Sequence, residues 1–328
     1  MTLLQDGKTF DEIQQIVATR AAKNLPDVVV PLAEVAMLVS GSLVLPDRRA
    51  VAMTPWSQRQ LASLLGVRWD RWFEMATPEE RADEVNRRLR RMPVERKLRL
   101  TRDTSEVNDG VIRAFLGPGF TPIDDHRVIE AISATVRLDE FRFVRIDVTD
   151  RTSQYAAVSA EAIELGTGGK SDLMLPGFQI RNSEVGFAAL TVDCWMWRLH
   201  CSNGLILPVG GRRLLYRTHR AIADEKLAAV LVIALAKVPR TWSSAAETLR
   251  RAKSTTVEDV GGMVDRILDD PLVPRSLAKV AREVVLADED RTRFGVAQAI
   301  TSVAHVQNHD PEVRFTLERL AGEWLAAA

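Results

Sequence analysis

Arginine is the residue type this chain concentrates. The segment 81–102 holds Arg81, Arg87, Arg88, Arg90, Arg91, Arg96, Lys97, Arg99 and Arg102, nine cations against Asp83, Glu84 and Glu95. Asp83 with Arg87 and Glu84 with Arg88 stand four apart, a spacing worth about 0.2–0.5 kcal/mol per pair on a helix. The cations left over run along a helix and into a following strand, which is what following a phosphate backbone requires. A solvated charged face is the other reading of the same residues. Arg87, Arg88, Arg91, Arg96 and Arg99 are the candidate phosphate contacts. A second basic run, Arg212, Arg213, Arg217, His219 and Arg220, adds Arg212 and Arg213 to that set.

The densest polar segment is Arg181-Asn182-Ser183-Glu184-Val185-Gly186, followed by an apolar run ending in Trp195-Met196-Trp197-Arg198-Leu199-His200-Cys201-Ser202-Asn203-Gly204. Strand alternation puts Ala188, Leu190, Val192, Cys194 and Met196 on one face and Thr191, Asp193, Trp195 and Trp197 on the other. Trp195 and Trp197 beside charged residues are candidates for stacking on unpaired bases. The alternative is a strand covered on both faces, with the tryptophans packed. For an enzyme, the residues that could gather are Asp124, Asp125, Asn182, Ser183, Glu184 and His200, with Asp193 and Asn203.

Familiar catalytic motifs are absent. Gly166-Thr167-Gly168-Gly169-Lys170-Ser171 resembles the end of a phosphate-binding loop, but Glu164 stands where the first glycine belongs. Pro176 also interrupts the helix such a loop must open. His305 and His309 are four apart without the glutamate of a zinc-protease helix or an evident third ligand. No Gly-x-Ser-x-Gly elbow occurs. No cofactor or metal is implied, and an enzyme is the less favoured reading.

Elements must position these residues. Phe10, Ile13, Ile16 and Val17 share a stripe, so residues 1–43 read as a helical N-terminal segment. Pro55 to Glu74 has a helix-turn-helix-like pattern, with Leu61, Ala62, Gly66, Val67, Trp69, Trp72 and Phe73. It predicts either a major-groove reader or two short packed helices. Thr77-Pro78-Glu79-Glu80 predicts a capped helix with Ala82, Val85, Leu89 and Met92 buried. Lys97–Arg102 and Val111–Leu116, joined through Asn108-Asp109-Gly110, predict a hairpin. Asp124 and Asp125 open a helix. Phe141–Val148, Tyr155–Leu165 and Phe187–Cys201 predict strands, the last the longest. Beyond Ala221 the pattern is helical. The fold expected is α+β: a central, mostly antiparallel sheet with flanking helices over 44–220, and a helical C-terminal region over 221–328.

Composition bounds the rest. The chain has 328 residues, 46% hydrophobic and 27% charged, with zero formal net charge. Polyanion binding therefore needs local segregation of charge. The longest apolar run, Leu227–Ala236, is half of the roughly 20 residues a spanning helix needs, and residues 1–6 lack a secretory pattern. Cys194 and Cys201 on one strand would stand roughly 23 Å apart, too far for a disulfide. These features predict free thiols and a cytoplasmic protein without a membrane partner.

Arg181–Gly186 followed by Arg198–Ile206 resembles the signature of the phage/plasmid-like proteins grouped as "domain of unknown function 932". Asn86, Val111–Phe120 and Pro122-Ile123-Asp124-Asp125 resemble it too. The likeness covers roughly residues 40–220. It departs at Leu116-Gly117-Pro118-Gly119-Phe120, where the family pattern is a more polar turn ending in tyrosine. The resemblance implies a mobile-element setting and no settled activity. That setting suits a single-strand DNA binding or annealing protein in recombination or replication, assembled as a homo-oligomer. An enzyme of unknown reaction around Asn182–Glu184 and a duplex-DNA regulator using residues 55–74 are the alternatives.

Overall fold

The computed structural model describes residues 9–68, 72–134, 140–166, 172–198, 204–208, 213–220, 224–306 and 310–327. Residues 167–171, His200, Cys201, Asn203, Arg212, Trp69, His309 and the side chain of His305 lie outside the described residues.

The first half of the chain builds one sheet. Helix α1 (Phe10–Ala21) opens with a capping box between Thr9 and Glu12. Strand β1 (Asn24–Pro31) follows, then β2 (Ala36–Met37), β3 (Leu43–Val44) and β4 (Ala50–Met53). Helix α2 (Pro55–Leu64) is capped by Thr54, and α3 (Pro78–Leu89) by the expected Thr77–Glu80 box. Strands β5 (Glu95–Thr101) and β6 (Gly110–Leu116) pair antiparallel as the predicted hairpin. The sheet order is β1-β5-β6-β4-β3-β2. Within residues 9–43, only Phe10–Ala21 is α-helical, so the expected helical segment gives way to strands after it. Val28-Val29-Val30 between Pro26 and Pro31 favours extended backbone, which β-branched side chains prefer.

One face of this sheet is apolar. Leu98, Leu100 and Ile112 bury against Leu61 and Ala62 of α2 and Val85 and Leu89 of α3. Phe73 is buried in this core, with Trp72 packed against it. Those aromatics are therefore spent on packing instead of facing a DNA groove. Gly66 makes the turn with a left-handed φ of +68°.

Helix α4 (Asp125–Ser133) leads into the second sheet, β7 (Phe141–Val148), β8 (Ser153–Ser159), β9 (Ile163–Glu164), β10 (Leu173–Asn182), β11 (Leu190–Arg198), β12 (Gly204–Leu207) and β13 (Leu215–Arg217). Its order is β12-β11-β10-β8-β7, with β13 paired to β11 and β9 to β10. All its pairings are antiparallel. Among the described residues the longest strand is β10, hidden from sequence reading by Pro176-Gly177. Pro176 falls between the β9 pairing, which ends at Met174, and the β8 pairing, which begins at Gly177. Its missing N–H costs no ladder bond on that side.

Five helices complete the chain: α5 (Asp224–Ser254), α6 (Val260–Ile267), α7 (Arg275–Ala287), α8 (Arg293–Val306) and α9 (Pro311–Ala326). By length and composition α5 could cross a membrane. Here Leu227, Leu231, Ala234 and Val238 bury it against the second sheet, with α1 and α4 alongside. The opposite face of that sheet is covered by α9, whose Phe315 packs on Trp195, Ala156 and Val158. The fold is α+β, with two mostly antiparallel sheets and a helical C-terminal region.

Helix α9 approaches β12 so closely that a Cβ on Gly322 would stand 2.0 Å from the Ile206 carbonyl oxygen. Gly322→Ala is expected to destabilise the fold by about 1–3 kcal/mol, measured by urea unfolding. An unchanged midpoint would show that α9 docks more loosely.

Candidate functional site

Arginines and carboxylates meet where the two sheets face each other. Strand alternation turns Lys97, Arg99 and Thr101 away from the α2–α3 core. Of these Arg99 comes within 4.0 Å of Glu184, in the turn after β10. Its carboxylate accepts from Arg113 Nη1 at 2.6 Å and from the Asp125 backbone N–H at 2.9 Å. Arg20 Nε lies 3.8 Å away and Arg99 Nη2 4.0 Å away. Arg99 also binds Asp124, and Asp27 is 3.6 Å from it. Asp125 is fully buried, accepting from Ser153 Oγ at 2.5 Å and Asn182 Nδ2 at 2.8 Å.

The environment drives the two carboxylates apart. Burial alone would raise Glu184, but Arg113, Arg20 and Arg99 outweigh it and hold the group well below the usual carboxylate range. Burial, then repulsion from Glu184, raises Asp125 against the hydrogen bonds from Ser153 and Asn182. Asp124, Asp125, Asn182 and Glu184 are thus brought together, and Val111–Phe120, Pro122–Asp125 and Arg181–Gly186 meet through them. Ser183 sits beside them but closes the turn: its Oγ donates to Arg151 O at 2.6 Å and accepts from Phe187 N–H at 2.9 Å. Asp125, Asn182, Ser183 and Glu184 are all buried and spend their hydrogen bonds on one another, on Ser153 and Arg113, and on backbone. The cluster is an ion lock in geometry, without an open pocket of convergent acids.

The arginine expectations need correction. Arg99 is buried and bound to Asp124, so it presents nothing to a phosphate. Arg87 and Arg88 both hold Glu84, and Arg88 also donates to Leu65 O at 2.7 Å. Arg96 donates to Glu95 O, and Arg91 is exposed. Trp195 is 0% exposed beneath Phe315, so no base can stack on it. Trp197 is half-buried, its ring 4.9 Å from that of Trp195. The covered-strand alternative describes both.

Arg213 has a different setting. It lines an open cavity of about 750 Å³ together with Arg181, Arg220, Phe120, Phe187 and Tyr216, bounded by backbone at Gly117, Gly119 and Gly186. None of the five candidates on α3 and β5 lines it. Phe187 is fixed by Trp56, 5.1 Å away edge-on, and by the Arg151 guanidinium at 5.0 Å. Phe120 stacks on His219 at 5.0 Å, and its carbonyl accepts from Lys97 Nζ at 2.6 Å. Burial lowers the His219 pKa, so the imidazole is neutral at pH 7. Its Nδ1 accepts from the Ile123 N–H at 3.3 Å. Arg181 is held by Glu312, and Arg213 lies 3.6 Å from Asp193. Arg220 is exposed without a side-chain partner among the described residues, and Tyr216 is 65% exposed. Sequence reasoning passed over Tyr216 and named Arg220 and Phe120 without placing them in the candidate set. The basic run 212–220 was the available signal, but the glycine-rich turn 116–120 that faces it lies about a hundred residues away in the chain.

This arrangement defines an α+β protein with a buried ion lock beside an aromatic, arginine-lined cavity. Comparison with family models, curated proteins and solved structures finds no match to the chain. Among the described residues, no three metal-ligating side chains come together.

Asp193 offers a check on burial beside this cavity. Burial raises its pKa to about 6 despite the attraction of Arg213. The folded protein therefore keeps a proton that the unfolded chain releases near pH 4, and stability falls as pH rises from about 4 to 6. The loss across that window is about 2–3 kcal/mol. Asp193→Asn is expected to flatten the dependence of Tm on pH between 4 and 6. A slope identical to wild type would contradict the burial described.

Proposed function

We propose that the protein binds single-stranded nucleic acid in the cavity between the 117–120 turn, the 186–191 segment and strand β13. The carrying observation is that Tyr216, its ring largely in solvent, shares one cavity wall with Arg213 and Arg220. An exposed aromatic ring supplies a stacking surface for any base, and adjacent guanidinium groups pair with the phosphates on either side. Phe120 and Phe187 extend the apolar floor, and the three glycines let a ligand approach backbone closely. Zero net charge does not oppose this, because binding needs only local segregation of charge, and Glu312, the carboxylate bound to Arg181, is itself buried.

The resemblance to the phage/plasmid-like family supports placing this binding in a mobile element's recombination or replication, where strand annealing and self-assembly are natural extensions. Sequence selectivity is not expected from stacking and phosphate pairing alone.

Fluorescence anisotropy with a labelled single-stranded oligonucleotide tests the proposal. Affinity is expected to fall with salt, with a log–log slope of about −1.5 to −2 for two or three phosphate contacts. Tyr216→Ala should weaken binding by about 1–3 kcal/mol, and Arg220→Ala should weaken it and reduce the slope. Undetectable binding at low salt, or binding indifferent to both substitutions, would remove the proposal.

A further inference from the structure

A second cavity of about 480 Å³ opens on the other side of the ion lock, at the end of β5 that carries Thr101. Its cations are Arg20 at the end of α1, Lys23 in the connection to β1, and Arg113 on β6; Thr101 and Asn24 add polar atoms to the wall. Three separate elements thus deliver positive charge to one small volume.

These cations are incompletely satisfied. Lys23 makes no side-chain hydrogen bond or ion pair among the described residues. Arg20 approaches only Glu184 among them, through Nε at 3.8 Å, and donates no side-chain hydrogen bond. Arg113 is 6% exposed; its Nη1 serves Glu184 and Asn24, and its Nη2 is buried with no partner. A buried guanidinium donor left unpaired is costly, and such groups in folded proteins call for an explanation. The carboxylates nearby do not balance the charge. Glu184 is shared among Arg20, Arg99 and Arg113, and Asp150 stands on the exposed wall. Consistently, burial lowers the pKa of Arg113, and the neighbouring guanidinium groups of Arg20 and Arg99 lower it further against the pull of Glu184.

We propose that this second cavity is a phosphate-binding site, with Arg20 and Lys23 taking oxygens of one phosphate group and Arg113 adding its charge from the wall behind them. A tetrahedral anion offers oxygens to cations arriving from three directions, whereas a carboxylate is matched by a single guanidinium fork. The same group is available from free inorganic phosphate or from the 5′ end of a nucleic-acid strand. The site does not depend on the Tyr216 cavity, which shares none of its residues.

The test uses the full chain and two probes. Sodium phosphate, compared with sodium chloride at equal ionic strength, is expected to raise Tm saturably in the wild type. Lys23→Ala, at an exposed position, should weaken the apparent phosphate affinity at least tenfold while leaving Tm without phosphate close to wild type; Arg20→Gln should weaken it likewise, measured against its own phosphate-free Tm, which the loss of the Glu184 contact lowers. Arg220→Ala, in the other cavity, should leave the phosphate effect unchanged. The second probe compares 5′-phosphorylated and 5′-hydroxyl oligonucleotides. Tighter binding of the phosphorylated strand that disappears in Lys23→Ala identifies a strand terminus as the source, and equal binding of the two strands assigns the site to free phosphate. No saturable difference between phosphate and chloride, or a phosphate effect that persists in the Arg20→Gln/Lys23→Ala double variant, would overturn the site. Oligonucleotide binding that still depended on Tyr216 would then stand separately.

Discussion

One carboxylate sets the relation between the two halves of this protein. Among the described residues the two sheets share no strand pairing, and contacts of side chains with one another and with backbone join them across the seam. Glu184 gathers Arg113 from the first sheet, Arg20 from α1 and the N–H of Asp125 at the start of α4. A small apolar cluster of Ala114, Leu116 and Val185, with Trp56 and Phe187 against it, packs beside this lock. Hydrophobic contact alone is tolerant of sliding. A buried charge that must meet a particular guanidinium is not, because removing one partner of such a pair costs about 3–5 kcal/mol.

Both cavities inherit their geometry from this lock. Val185-Gly186-Phe187 leave the Glu184 turn directly to form one wall of the aromatic cavity. Arg113 and Arg20, on the other side of the same carboxylate, form the wall of the cationic one. The arrangement explains an excess of positive charge that a count over the chain does not show. Several arginines are consumed in pairs such as Arg145–Glu318 and Arg198–Asp172, while Arg20 and Arg113 at the seam keep donors in hand. Function is therefore assigned to the exceptions to pairing, not to the densest basic segment.

Much of the fold was legible in local chemistry. Thr77–Glu80 announced a helix start, and Asn108-Asp109-Gly110 announced the β5–β6 hairpin. The alternation of residues 141–148 and 187–201 announced strands, the second realised over Leu190–Arg198 among the described residues. Where the reading failed, a long-range partner overrode the local signal. Pro176-Gly177 looked like loop, but Pro176 sits at a gap in the ladder and Gly177 lies where a Cβ would strike Ala157 O. The apolar stripe of α1 was correctly read, but the valines after it belonged to a strand. For the site, Asp124, Asp125, Asn182 and Glu184 were legible as a group because short polar side chains beside strand ends have few ordinary uses. That they would be buried was not legible, since it depends on Arg99 and Arg113 arriving from another sheet. Trp195 failed as a stacking candidate because its cover, Phe315, lies 120 residues further on.

The claim beneath these assignments is that Glu184 and Arg113 hold the sheets together as a coupled pair. A double-mutant cycle combining Glu184→Gln and Arg113→Met, read by urea unfolding, measures that coupling directly. The structure predicts an interaction energy of about 2–3 kcal/mol, with the double variant less destabilised than the two single variants summed. Strict additivity of the two substitutions would contradict it, and with it the common origin of both cavities.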